Sequence, residues 1–100
     1  MNTREPNYED IKIAVMLRAA RVGMGLSQAE LANHLQVSQS TIARCERGTG
    51  GLPGNVLLHA MGFMKQNGIN ITDIYTEEPS IQFTLSFFQR EVTRIASSQY

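Results

Sequence analysis

Hydrophobic residues recur at three- and four-residue steps through much of the chain, which is the period of an amphipathic helix. The first such stretch begins near Glu9, includes Ile11 and Val15, and stops at a pair of glycines that can close a helix. A longer stretch follows Pro53, a residue suited to a first helical turn, and stops at Gly68. Its inner face is predicted to contain Val56, Leu57, Ala60, Met61 and Met64.

Two shorter helices are predicted between these stretches. Ser27 is followed three residues later by Glu30, the spacing of a capping box at a helix N-terminus. Ser38 can cap a second short helix, which Gly48 ends. The apolar residues that face inward from the two helices are Leu31, Ala32, Leu35, Ile42 and Cys45. The pattern therefore indicates two short helices joined by a turn of three or four residues around Gln36.

The segment after Pro79 fits two periods at once. A helical stripe is formed by Ile81, Leu85, Phe88, Val92 and Ile95, whereas Ile81, Phe83, Leu85 and Phe87 alternate as they would in a strand. The helical pattern is the longer one, so we favour a helix, and a strand stays open as the alternative. Residues 69–75 alternate between apolar and polar positions, and we expect them to end in one more helical turn.

The two short helices, with the sequence GLSQAELANHLQVSQSTIARCERG, resemble the helix-turn-helix of the phage-repressor (Cro/XRE-like) family. The matching pattern is L-S-Q-x-x-L-A, then V-S-x-x-x-I, then E-x-G, with support from LRAAR before it and LP…NITDIY after it. The resemblance covers Ile11 to Tyr75. It implies an all-α, lambda-repressor-like domain of four to five helices with a C-terminal dimerisation element.

Two features depart from the family pattern. Gln36 stands at the turn position where the family usually has glycine, so we expect it to take a positive φ at some energetic cost. The loop GTGGLPG after the second short helix is rich in glycine and longer than is usual in the family. We therefore divide the chain into a flexible N-terminal arm (1–8), a helix-turn-helix DNA-binding domain (9–75) and a C-terminal dimerisation extension (76–100).

The resemblance also implies roles for particular side chains. The residues that match the positions that read DNA bases are Gln39, Ser40 and Arg44. Those expected to contact the DNA backbone or to act as auxiliary contacts are Gln28, Thr41 and Arg47. Arg21 and Glu46 match positions that the family joins as a structural ion pair. The expected partner is double-stranded DNA.

Several apolar side chains lie beyond the point where the family core is complete. The residues assigned to a homodimer interface are Phe83, Leu85, Phe87, Phe88 and Val92. The function implied is a transcriptional regulator that binds a pseudo-palindromic operator as a homodimer, with repression favoured over activation. Two alternatives stay open. One is an antitoxin whose C-terminal segment binds a toxin protein, and the other is an adaptor that no longer binds DNA.

Charge and composition limit the remaining possibilities. The formal net charge is zero, with seven basic against five acidic residues in positions 1–65 and two against four in positions 66–100. Cys45 is the single cysteine, and His34 and His59 have no further ligands at metal-binding spacing, so we expect no metal or other cofactor. No constellation suggests an enzyme. No apolar run resembles a signal peptide or a membrane span, which predicts a cytoplasmic protein.

Overall fold

The computed structural model describes residues 7–98 and contains five helices and two strands in that range. Their order is α1 (Tyr8–Gly23), α2 (Gln28–Leu35), α3 (Gln39–Glu46), α4 (Gly54–Gln66), β1 (Ile69–Thr72), β2 (Ser80–Phe83) and α5 (Leu85–Ser98). Most of the arm expected over residues 1–8 lies outside the described residues. Within them, Asn7 caps α1, since its side chain accepts a hydrogen bond from the backbone N–H of Asp10 at 2.8 Å.

The apolar stripe that predicts α1 is not the face that α1 buries. Ile11 and Val15 are about half exposed, whereas Ala14, Leu17 and Ala20 are buried. Tight packing against α3 favours small residues, because they allow two helices to approach closely. Of the large apolar residues of α1, Met16 and Leu17 are buried, whereas Ile11 and Val15 lie on the solvent side of the helix.

Local signals build the α2–α3 pair. The Ser27 hydroxyl accepts from the Glu30 backbone N–H at 3.0 Å, and the Glu30 carboxylate accepts from the Ser27 N–H at 2.9 Å, which completes the capping box. Gln36 ends α2 with φ 58° and ψ 43°, the left-handed conformation expected from its place in the turn. The N–H of Val37 then bonds the Ala32 carbonyl at 3.0 Å and closes the helix end.

The chain divides into two compact units between Ala60 and Met61, inside α4. In the first unit, the predicted inner residues of the two short helices are all buried: Leu31, Ala32, Leu35, Ile42 and Cys45. The division does not coincide with residue 75, where the sequence suggests that the DNA-binding domain ends. That functional boundary stays a prediction.

In the second unit, β1 and β2 form an antiparallel pair whose register joins Ile69 to Phe83 and Thr72 to Ser80. Thr84 links this pair to α5, because both its N–H and its hydroxyl donate to the Gly68 carbonyl, at 2.9 and 2.7 Å. A side chain at Gly68 (φ +85°) would lie 2.7 Å from the Phe87 backbone nitrogen. Only glycine therefore permits this close approach.

The helix-turn-helix fold predicted from the sequence is confirmed, and the structure adds the two-stranded sheet. The extra helical turn expected at the end of residues 69–75 is not formed: the segment is strand β1 followed by a non-helical turn at Ile74 and Tyr75. The extension after Pro79 adopts both of the forms that its pattern allows. Residues 80–83 form a strand because they pair with β1, and the helix begins at Leu85.

Candidate nucleic-acid interface

The eight residues of α3 separate into a buried face and an exposed polar face. Ile42, Cys45 and Glu46 are buried, whereas Gln39, Ser40 and Arg44 are exposed. The exposed side chains carry amide, hydroxyl and guanidinium groups, which are the groups that proteins use to read base edges and hold phosphates. The only carboxylate of α3, that of Glu46, is withdrawn from this face.

Glu46 is withdrawn because Arg21 of α1 holds it in a bidentate ion pair. Arg21 Nε donates to Glu46 Oε2 at 2.7 Å and Nη2 donates to Oε1 at 2.9 Å. The third guanidinium nitrogen, Nη1, donates to the Leu26 carbonyl at 2.8 Å. The side chains of Arg21 and Glu46 are only 14% and 4% exposed. The pair thus joins α1, the α1–α2 connection and α3.

A chain of hydrogen bonds runs from this ion pair to the exposed face of α3. Gln28 Nε2 donates to Glu46 Oε1 at 3.2 Å, and Gln39 Nε2 donates to Gln28 Oε1 at 2.9 Å. A carboxylate can only accept, so Glu46 determines which end of the Gln28 amide faces it. That orientation in turn requires Gln39 to donate its NH₂ group to Gln28. Gln39 Oε1 and the second hydrogen of its Nε2 remain available for a ligand.

The hydroxyl groups at the start of α3 form a local cluster. Ser38 Oγ accepts from the Thr41 N–H at 3.2 Å and lies 3.0 Å from Ser40 Oγ and 2.7 Å from Thr41 Oγ1. The Ser38 side chain thus satisfies one of the N–H groups that lack a partner within the helix at its N-terminus. Ser40 is exposed, and Thr41 is half-buried beside it.

Arg44 and Arg47 are both exposed near the C-terminal end of α3. The loop that follows lies along Arg44: a side chain at Gly50 would be 3.2 Å from Arg44 Nε. Thr49 supports this arrangement, because its hydroxyl donates to the Arg44 carbonyl at 3.2 Å. The glycine-rich loop therefore lets the Arg44 side chain pass close to the backbone.

The electrostatic environment follows from these contacts. Hydrogen bonding to Glu46 raises the pKa of the Arg21 guanidinium, which therefore stays charged. The hydrogen bonds from Ser27 lower the pKa of the Glu30 carboxyl. Burial raises the pKa of the Cys45 thiol to about 11, with a further contribution from the carboxylates of Glu46 and Asp10. A thiol with this pKa is protonated at neutral pH and is a poor nucleophile.

Some of these features were not expected from the sequence. Both Gln28 and Gln39 were selected as DNA contacts, but their contact with each other was missed, as were Thr49 and Gly50 beside Arg44. Gln28, Gln39 and Glu46 are too far apart in sequence for local spacing to predict their contacts: the Gln39–Gln28 and Gln28–Glu46 hydrogen bonds span 11 and 18 positions. For the approach of the loop backbone to Arg44, the glycine-rich sequence of the loop was the one available signal.

The five residues assigned to the dimer interface have different environments. Phe87 is buried, and its ring makes an edge contact with that of Phe83, with ring centroids 5.0 Å apart. Leu85, Phe88 and Val92 are largely exposed. Phe83 and Phe87 therefore pack within their own chain. Phe88 is half-exposed and its ring makes an edge contact with that of Phe87, with ring centroids 5.4 Å apart, whereas Leu85 and Val92 remain at the surface.

The helix-turn-helix geometry agrees with the comparison with known families. The helix-turn-helix domain family matches residues 13–62, which is half of the chain, so the chain belongs to this family. Its class is that of the XRE-like, DNA-binding transcription regulators. The fold is similar to that of a point mutant of the restriction-modification controller protein C.Esp1396I, with a TM-score of 0.57 and 17% sequence identity over 92% of this chain and 96% of that one. A comparison with curated protein sequences finds no match. Among residues 7–98, no helix has the length and apolar character required to cross a membrane.

Proposed function

We propose that this protein is a sequence-specific transcriptional repressor that binds a pseudo-palindromic operator as a homodimer. Each copy inserts α3 into the major groove, and the two α3 helices enter successive grooves about 34 Å apart. The observation that carries the proposal is the exposed face of α3, which presents amides, hydroxyls and arginines while its only carboxylate is buried against Arg21. The similarity to a controller protein supports a regulatory role.

Gln39 and Arg44 read bases in this proposal, with Ser40 between them. The bond from Gln39 to Gln28 leaves one acceptor and one donor hydrogen on the Gln39 amide, which suits adenine N6 and N7. Arg44 has a guanidinium fork that suits guanine O6 and N7. Thr41 and Arg47 lie beside these residues and are assigned to the DNA backbone.

Gln28 has two roles in this proposal. Its Nε2 donates one hydrogen to Glu46, and the second hydrogen is available for a phosphate beside the exposed amides at the start of α2. Its Oε1 holds Gln39 in the orientation described above. We therefore expect Gln28 to contribute to affinity through the phosphate and to selectivity through Gln39.

Selection of binding sites from random duplex DNA by the full chain tests the proposal. Enrichment of two inverted half-sites one helical turn apart is the expected outcome. Arg44→Ala should then lower selectivity at one base position by about 1–3 kcal/mol. Arg44→Lys is the matched control, because it retains the charge without the planar fork and should keep affinity for random DNA while losing the base preference. If Arg44→Ala weakens binding to selected and to random DNA equally, Arg44 contacts only phosphate and does not read a base.

A reporter with the selected site placed over a promoter tests the direction of regulation. Occupation of the operator should lower transcription, because the bound dimer excludes polymerase. Increased transcription would show that the protein is an activator instead of a repressor, and the proposed DNA-binding role would still hold.

Two other functions have specific support. The exposed apolar side chains of α5 suit a toxin protein as well as a second copy, as in an antitoxin. A stable complex with a second, different small protein would favour that function. The zero net charge suits an adaptor that does not bind DNA. Failure to enrich any DNA sequence at low salt would favour the adaptor.

A further inference from the structure

A groove in the second unit lies between α4 and β1. Its volume is about 330 Å³, and three residues of the helix and three of the strand line it: Met61, Gly62, Lys65, Asn70, Ile71 and Thr72. The three strand residues are consecutive, and successive side chains of a strand point to opposite faces of its sheet. A groove that all three residues line therefore follows the edge of β1. No residue of β2 lines it, so this is the edge opposite β2.

The edge of β1 beside the groove has no strand paired with it among residues 7–98, because the sheet there contains only β1 and β2. In an antiparallel pair, every second residue exchanges backbone hydrogen bonds with the partner strand. The N–H of Thr84 bonds the Gly68 carbonyl at 2.9 Å. Asn70, two residues after Gly68, is therefore also a bonded position, opposite Gln82. The backbone N–H and carbonyl of Ile71 then point away from β2, toward the groove.

Gly62 lies in the interior of α4 and is exposed in the groove. A side chain at this position would meet nothing within 4 Å. Glycine is less favourable than alanine inside a helix, so a glycine without a packing role weakens the helix. Gly68, in contrast, has such a role, because Phe87 lies against it. Gly62 therefore leaves room on α4 that the described part of the chain does not use and that the backbone of a bound segment can use.

Lys65 alone is charged among the six residues that line the groove. Its side chain is exposed, and no carboxylate within residues 7–98 forms a salt bridge with it. Lys65 lies one helical turn after Met61, so a cation and an apolar side chain share one face of α4. The groove thus offers a cation, the half-buried side chains of Met61 and Ile71, and one backbone donor and acceptor. An extended segment with one acidic and one apolar side chain complements all of these groups.

We propose that this groove binds an extended acidic segment of another protein as a strand added to β1. The backbone of the segment bonds the N–H and carbonyl of Ile71, passes close to Gly62, and places an Asp or Glu side chain on Lys65. Main-chain bonds supply affinity in this mode of recognition, and the neighbouring side chains supply specificity. The three lining residues of β1 extend over roughly 10 Å, which accommodates about three residues of an added strand. The proposal does not rest on the proposed function, because α3 belongs to the first unit.

Selection from random heptapeptides, acetylated and amidated at their ends, on the immobilised full chain tests the proposal. Peptides with an Asp or Glu beside an apolar residue should be enriched. Lys65→Gln should weaken their binding about fivefold at low salt, whereas Lys65→Arg, which retains the charge, should leave it nearly unchanged. Enrichment of no peptide, or of peptides that bind Lys65→Gln as tightly as the wild type, would overturn the proposal.

Gly62→Ala tests the approach of the bound backbone to α4. The added methyl group should weaken peptide binding at least about tenfold, because it fills the room that the segment needs. Gly54→Ala is the matched control, since Gly54 belongs to the same helix, also has nothing within 4 Å of an added Cβ, and does not line the groove. Circular dichroism melting confirms that both variants are folded. Undiminished binding by Gly62→Ala would contradict the proposed path of the segment.

Amide hydrogen exchange identifies the edge that the peptide occupies. The Ile71 N–H should exchange freely in the chain alone and at least about tenfold more slowly with an enriched peptide, whereas the Asn70 N–H should be protected in both. An Ile71 N–H that is unaffected by the peptide would overturn strand addition. Protection of Ile71 that rises with protein concentration in the absence of peptide would assign the edge to a second copy instead. Ligands obtained only from a parallel library with free C-termini would assign the groove to a chain end, against the internal segment proposed.

Discussion

The ion pair between Arg21 and Glu46 should be the most sensitive polar contact in the first unit. We consider Arg21→Met, Glu46→Leu and the double variant, all of which retain side-chain volume. Removal of Arg21 leaves a carboxylate that is 4% exposed with Gln28 as its remaining donor at 3.2 Å. Breaking a buried pair from one side typically costs about 3–5 kcal/mol. The donor from Gln28 should hold the cost near the lower end, at about 3 kcal/mol.

Removal of Glu46 leaves the Arg21 guanidinium, which is 14% exposed and still donates to the Leu26 carbonyl. Its greater access to water should limit the cost to about 2 kcal/mol. The double variant leaves neither charge buried alone, so the loss of the pair itself should cost little. It still removes the hydrogen bonds to the Leu26 carbonyl and from Gln28, which should cost about 2 kcal/mol in total. The two substitutions are then coupled by about 3 kcal/mol, the upper end of what contacting residues show.

Urea unfolding of the four proteins, followed by circular dichroism at pH 7, measures this coupling. Glu91 and Arg94 supply a matched surface pair, with exposed fractions of 21% and 65%, and a second cycle there should give a coupling of only about 0.5 kcal/mol. Additive effects at Arg21 and Glu46, within about 0.5 kcal/mol, would show that the pair contributes no more than the surface pair. That result would refute the reasoning.

Three further predictions concern single positions. Gln36→Gly should stabilise the fold by about 0.5–1 kcal/mol in thermal melting, since glycine adopts φ 58° without the steric cost, whereas Gln36→Ala should give no gain. Gly68→Ala should destabilise by about 2 kcal/mol or more, because its Cβ would meet the Phe87 backbone, whereas Gly62→Ala, which meets nothing within 4 Å, should be neutral or stabilising. The raised pKa of Cys45, about 11 against 9.0 for a free thiol, means that its contribution to stability is complete below pH 9 and is lost as pH rises towards 11. Cys45→Ala should therefore reduce the loss of unfolding free energy between pH 9 and 11. If the free energy of unfolding falls as steeply in Cys45→Ala as in the wild type, the raised pKa of Cys45 is contradicted.

The sequence by itself determined the α2–α3 pair and the exposed face of α3. Its signals act within a few residues: the Ser27–Glu30 capping box, the Ser38 cap and the turn at Gln36 each depend on bonds between near neighbours. Bonds between such near neighbours are favoured by the local pattern itself, so the sequence predicts them without tertiary contacts. The base-reading candidates followed from the same local frame, because the inward residues of a short helix also define which residues point outward.

Only the tertiary structure decided the organisation of the C-terminal segment. Residues 81–87 alone satisfy the period of a strand and the period of a helix. The longer helical pattern through Ile95 favours a helix, and this prediction is wrong for residues 80–83, which form β2. The change from strand to helix at Thr84 is set by its bonds to the Gly68 carbonyl, 16 positions away, and by the approach of Phe87 to Gly68. The hydrogen-bond chain from Glu46 to Gln39 has the same origin, since contacts between residues distant in sequence exist only after the helices have packed.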